Sequence, residues 1–208
     1  MGANSTPQAR WFEALLLIDI QNDFIPGGSL GVPHGEAVVP VANALAAAFA
    51  AHDITVAASR DFHPERTVHF QEFGGRWPKH CVIGTSGASF HPDLDLPDST
   101  LVVSKGMDPE RDAYSAFEGV SDDGHDLDAL LRSRQVERLY VLGLATDYCV
   151  RWSVDDALRR GYQVFLVEDG IRGVDIQPGD SQANIEAMVA AGATLVESAE
   201  VLAVLNAM

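Results

Sequence analysis

Four short stretches bring together side chains that can do chemistry. Asp19 follows four apolar residues in Leu15-Leu16-Leu17-Ile18-Asp19 and opens the run Gln21-Asn22-Asp23-Phe24. A carboxylate at the end of a buried strand can have a raised pKa and act as a base. It can equally hydrogen-bond loop backbone. Lys105 closes the apolar run Thr100 to Ser104. There it can steady an anion or tune a neighbour's pKa, or stand as a solvated charge at a sheet edge. Cys149 lies in Gly143-Leu144-Ala145-Thr146-Asp147-Tyr148-Cys149-Val150. With Thr146 or Asp147 as N-cap, the thiol sits in the first turn of a helix, where free N–H groups lower its pKa and bind an oxyanion. The plain alternative is a small cysteine packing that helix on a sheet.

The fourth stretch runs from Arg60 to Cys81 and holds Asp61, His63, His69 and His80. Three of the chain's seven histidines fall within it. One carboxylate with two or three imidazoles suits one divalent ion such as Zn²⁺, Fe²⁺ or Mn²⁺. The spacing matches no compact metal signature. His34, His52, His91 and His125 have no partner pattern and read as ordinary surface or loop residues. Phe24, Trp77 and Tyr114 accompany the polar groups and could wall a pocket for a flat ring. Core packing is the alternative for Phe24, and a weaker one for Trp77 between Arg76 and Pro78.

The elements that must position these residues follow from periodicity. Ala14–Ile20, Ile54–Ser59, Thr100–Ser104, Leu139–Ala145, Gln163–Val167 and Thr194–Val196 are short and rich in Val, Ile or Leu without alternation. Strands covered on both faces look like this. Helical spacing marks Glu36–Ala51, Leu127–Arg134, Val150–Arg160, Gln182–Ala191 and Ala199–Leu205, with Gly161 and Gly192 at expected C-caps. The alternation predicts an α/β fold: three layers, α/β/α, around a doubly wound, six-stranded, mainly parallel sheet. Phe62–Ser99 carries no convincing helix. Long irregular segments inside compact domains usually serve function, and this one leaves a strand at the sheet edge where ligands bind.

The chain of 208 residues suits one domain, 1–208, with 1–12 expected as a flexible extension. Its formal charge of −16 disfavours nucleic acid as a partner. No apolar stretch is long enough to span a bilayer, and no secretory signal is visible, so the expected location is the cytoplasm without membrane contact. Cys81 and Cys149 are expected as free thiols. A homo-oligomer stays open.

In order and spacing, Asp19-Ile-Gln-Asn-Asp-Phe24, Asp61-Phe-His63, Trp77-Pro-Lys-His80-Cys81, Lys105-Gly106 and Gly143-to-Cys149 resemble the nicotinamidase/pyrazinamidase branch of the isochorismatase-like cysteine hydrolases. The resemblance covers about Ala14 to Val201. It implies strand order 3-2-1-4-5-6 and a catalytic triad of Asp19, Lys105 and Cys149. It also implies an oxyanion hole from the N–H groups of Ala145, after a cis peptide from Leu144, and of Cys149. Asp61, His63 and His80 would bind the metal, with His69 as the additional histidine some members use. Phe24 and Trp77 would pack on the substrate ring; Tyr148 gets no role. The implied reaction is hydrolysis of nicotinamide, or a pyrazinamide-like aromatic amide, through a Cys149 thioester in NAD salvage. Two alternatives remain: another hydrolase on the same scaffold, such as an isochorismatase or a ureidoacrylate or N-carbamoyl amidohydrolase, and a non-catalytic binding protein.

Overall fold

The computed structural model describes residues 12–207. The expected flexible extension lies outside the described residues except for Phe12, whose carbonyl accepts from the N–H groups of Glu137 and Arg138. Six strands form one sheet: β1 (Glu13–Ile18), β2 (Thr55–Asp61), β3 (Leu101–Lys105), β4 (Arg138–Leu144), β5 (Gln163–Arg172) and β6 (Thr194–Val196). Their order is β3-β2-β1-β4-β5-β6, and every pairing is parallel. The expected order is therefore observed, and "mainly parallel" sharpens to parallel throughout.

Non-alternating sequence explains the arrangement. All six residues of β1 are buried, because the strand lies between β2 and β4 and is covered on both faces. Five helices cover the sheet: α1 (Val38–Ala51), α2 (Leu127–Ser133), α3 (Arg151–Arg159), α4 (Asp180–Ala191) and α5 (Ser198–Asn206). α1 packs with α5, and α3 with α4. Right-handed crossovers leaving β1 and β4 in opposite directions put these two pairs on opposite faces. The strand order reverses between β1 and β4, which opens a crevice at their C-terminal ends.

Two local features deliver the site. Asp19 leaves β1 with φ +49°, a left-handed conformation rare for a residue with a side chain. Beside it, Gly143 pairs with Ile18 and has φ +127°. A Cβ there would fall 2.1 Å from the Ile18 carbonyl oxygen, so only glycine lets the two strands approach this closely. β5 is longer than expected, reaching Arg172, with a register shift against β4 between Val141 and Gly143. The segment from Phe62 to Ser99 has only two single 3-10 turns, Gln71–Phe73 and Ser86–Ala88, as its composition suggests.

Candidate active site

Four strand ends converge. Asp19 follows β1, Asp61 closes β2, Lys105 closes β3, and Cys149 follows β4. Lys105 is at the end of an edge strand yet only 1% exposed, which excludes the solvated-charge reading. Its Nζ lies 2.9 Å from Asp19 Oδ2 and 3.5 Å from Cys149 Sγ, and it also pairs with Asp61 Oδ1. Asp19 Oδ1 accepts from the Ser59 hydroxyl at 2.7 Å. The aspartate thus faces side chains rather than loop backbone.

Electrostatics follow from one ammonium buried among two carboxylates and a thiol. Burial alone would lower the Lys105 pKa, but Asp19 and Asp61 outweigh it and hold the amine well above its usual value. Burial raises the Asp61 carboxyl, yet Lys105 and the neighbouring imidazoles pull it well below the normal carboxylate range. Asp19 goes the other way: burial and the Asp61 charge raise it against the pull of Lys105. Burial also pushes the Cys149 thiol well up, with Lys105 opposing. At rest the sulfur keeps its proton next to a carboxylate poised to receive one.

Cys149 lies in the first turn of a helix, as expected, but that turn is π rather than α. Thr146–Val150 is a π-turn entered from Ala145 without a side-chain cap, and α3 starts only at Arg151. The expected cap by Thr146 or Asp147 is therefore wrong. Asp147 is engaged elsewhere, accepting from the N–H groups of Val174 and Asp175 at 2.9 Å each. The N–H groups of Tyr148 and Val150 both go to the Ala145 carbonyl, and this wide closure sets the turn. The Leu144–Ala145 peptide is cis, as the resemblance implies.

The histidines form the adjoining cluster. One ligand atom each from His63, His69 and His80 lies within 4.8 Å of the others, and all three rings are buried. Asp61 Oδ2 lies 3.5 Å from His63 Nε2 and 3.7 Å from His80 Nε2. Each Nδ1 is anchored: His63 on the Gly106 carbonyl at 3.0 Å, His80 on the Pro78 carbonyl at 2.7 Å, and His69 on Asp112 Oδ1 at 2.6 Å. A carbonyl or carboxylate only accepts, so each Nδ1 carries a hydrogen and Nε2 is the ring nitrogen left for a ligand. His63 Nε2 is buried without any hydrogen-bond partner. Burial, reinforced by the nearby His63, lowers the His69 pKa to about 4, which keeps that imidazole neutral. Inward lone pairs, outer anchors and a carboxylate oxygen together fit a divalent first-row ion.

Cys149 from the first cluster and Asp61, His69 and His80 from the second line one pocket, whereas Asp19, Lys105 and His63 are not among its lining residues. Its walls include the three aromatics expected there, Phe24, Trp77 and Tyr114. Trp77 Nε1 donates to the Tyr114 hydroxyl at 3.0 Å, fixing one wall. Leu30, Val32 and Val174, none of them singled out from sequence, also line it, as does Tyr148, to which the resemblance gives no role. Tyr148 meets Trp77 edge-on at 4.8 Å. Gln21 is another residue that sequence reasoning passed over. Fully buried, it accepts from the Asp61 N–H and donates to the Asp61 carbonyl, clamping that residue's backbone. Its presence in the Asp19 motif was the available signal. His34, His52, His91 and His125 do not line the pocket. Cys81 and Cys149 are both free thiols.

Comparison with known proteins agrees with this geometry. The isochorismatase domain model matches residues 13–200. The nicotinamidase of Escherichia coli is 43% identical over 201 residues, covering 88% of this chain and 93% of that protein. A zinc-bound pyrazinamidase structure from Pyrococcus horikoshii superposes with a TM-score of 0.82 at 41% identity, covering 89% of this chain and 98% of the other. The structure of PnC1 from L. infantum with nicotinate superposes at 0.81 with 36% identity, covering 90% and 93%. A domain match across nearly the whole length, with relatives this similar, means that the chain belongs to the isochorismatase family.

Proposed function

We propose that this protein is an amide hydrolase that converts nicotinamide, and similar aromatic amides, to the acid and ammonia. One observation carries the reading: Cys149, held by the buried Asp19 and Lys105, opens on the same aromatic-walled pocket as His69 and His80 of the three-histidine cluster. The first cluster suits attack on a carboxamide. The second suits a ring nitrogen, which separates this reading from other hydrolases on the same scaffold. The matched nicotinamidase and the nicotinate-bound neighbour support the same substrate. A non-catalytic relative would have no reason to keep a buried lysine between two carboxylates and a thiol, an arrangement with a large desolvation cost.

The chemistry follows from the side chains. Asp19 takes the Cys149 proton while Lys105 balances the charge, and the thiolate attacks the carboxamide carbon. The N–H groups of Ala145 and Cys149 receive the oxyanion. Asp19 returns the proton to the leaving nitrogen, the C–N bond breaks, and ammonia departs. A water then gives a proton to Asp19 and attacks the thioester. The C–S bond breaks and the proton goes back to sulfur. His63, His69 and His80, with Asp61, would hold one divalent ion, whose Lewis acidity would fix the ring nitrogen when bound. Phe24 and Trp77 keep the ring flat in the pocket, and Tyr114 holds Trp77 in place.

Ammonia release from nicotinamide by wild type and Cys149→Ala tests the reading with zinc, iron or manganese supplied. Wild type should release ammonia, and the variant should fall by at least about 10³-fold. No release by wild type sinks the substrate assignment; equal release by both removes Cys149 as nucleophile. Among the described residues no helix is long and apolar enough to cross a membrane. We further propose a cytoplasmic enzyme acting in NAD salvage on a small neutral substrate; the net charge of −16 disfavours nucleic acid as a partner.

A further inference from the structure

The three histidines are anchored unequally. His63 and His80 donate to backbone carbonyls, of Gly106 and Pro78. Backbone oxygens are fixed by the chain and cannot be altered by substitution. His69 alone donates to a side chain, Asp112 Oδ1, at 2.6 Å, and that oxygen belongs to a carboxylate. Asp112 is half-exposed, while His69 is buried. An exposed carboxylate thus reaches in from the surface to hold a buried ring that stacks 4.6 Å from His63.

Position in the chain adds to this. Asp112 lies on the segment leaving β3 directly after Lys105. The same segment offers the Gly106 carbonyl to His63 and the Pro109 carbonyl to the Val68 N–H at 2.9 Å, next to His69. Gly106 has φ +71°, and a Cβ there would fall 2.4 Å from the His63 ring. The segment therefore backs two of the three histidines from outside. Of its hydrogen bonds to the histidines, only that with Asp112 brings a charge. A carboxylate accepting from Nδ1 fixes the tautomer, fixes the ring against rotation and raises the basicity of Nε2.

We propose that Asp112 is a positioning residue for the metal site: through its hydrogen bond to His69 Nδ1 it sets the affinity and ligand field of a divalent ion held by the histidines. The inference rests on the reading of His63, His69 and His80 as a metal site, and the test separates the two. Zinc affinity would be measured on the full chain by competition with a chromophoric chelator, and the visible absorption of the cobalt(II)-loaded protein recorded alongside.

Wild type should bind one zinc. Asp112→Ala should bind it about 10- to 100-fold more weakly, with a changed cobalt spectrum. Asp112→Asn can still accept from Nδ1 without the charge, so it should fall between them; being nearly isosteric, it also serves if the alanine variant folds poorly. Glu110→Gln removes an exposed negative charge from the same segment without touching His69, and should match wild type in both measurements. If wild type binds no zinc, the metal reading fails and this inference with it. If wild type binds and Asp112→Ala binds as tightly with the same spectrum, only the role of Asp112 is overturned. Equal weakening by Glu110→Gln also overturns it, because the effect would then be general electrostatics.

Discussion

A single buried ammonium stands among three acidic or nucleophilic groups and decides how they share protons. Lys105 pulls the pKa of Asp61 down, whereas burial and the Asp61 charge raise that of Asp19 against the same ammonium, beside a thiol that burial also pushes up. The division gives a direction for pH dependence. Asp19 must be ionised to take the thiol proton, so kcat/KM for nicotinamide should drop as pH falls through the raised pKa of Asp19. The acid limb should therefore lie above the range of an ordinary aspartate. Asp19→Asn cannot accept the proton, and should lose about 10²- to 10⁴-fold in kcat/KM at every pH. A variant that keeps the wild-type pH profile would assign the limb to another group.

At the level of elements, function depends on how strands end. Asp19 turns out of β1 at positive φ, and Cys149 sits on a π-turn between β4 and α3. Both depend on the close approach of β1 and β4 at Ile18 and Gly143. Gly143→Ala adds a Cβ against the Ile18 carbonyl in a conformation that disfavours side chains. It should cost about 2 kcal/mol or more, and lower Tm by roughly 4–8 °C for a chain of this size. Activity should fall further than stability, because the shift reaches both Asp19 and Cys149. Thermal unfolding and ammonia release on the same sample check this; an unchanged Tm would show that the strands can separate at little cost.

For the whole molecule, charge is the dominant property outside the site. Thirty acidic residues against 14 basic ones leave a net −16, and most of that charge is on the surface, where it repels itself. Salt at about 0.1 M shortens the reach of such repulsion to about 10 Å. Raising potassium chloride from low to moderate concentration should therefore raise Tm, whereas the buried Lys105–Asp19–Asp61 group should respond little. A Tm that falls with added salt would mean that favourable ion pairs outweigh the repulsion.

Sequence pattern by itself determined the fold class, while the strand order came only with the family resemblance. Apolar runs without alternation require burial on both faces, and only a parallel sheet between helix layers provides it. It also marked Asp19, Asp61, Lys105 and Cys149, since each terminates or follows such a run. The turn carrying Cys149 was not legible. Asp147 has the composition of a cap, but its side chain is taken by Val174 and Asp175 from a distant loop. Nor could spacing show that Asp61 pairs with Lys105 while facing His63 and His80, or that Asp112 holds His69 from 43 residues away. Local pattern fixes which backbone is buried and where strands end. Which side chains then share a proton or a ring nitrogen depends on distances across the sheet edge, and only the tertiary structure decides those.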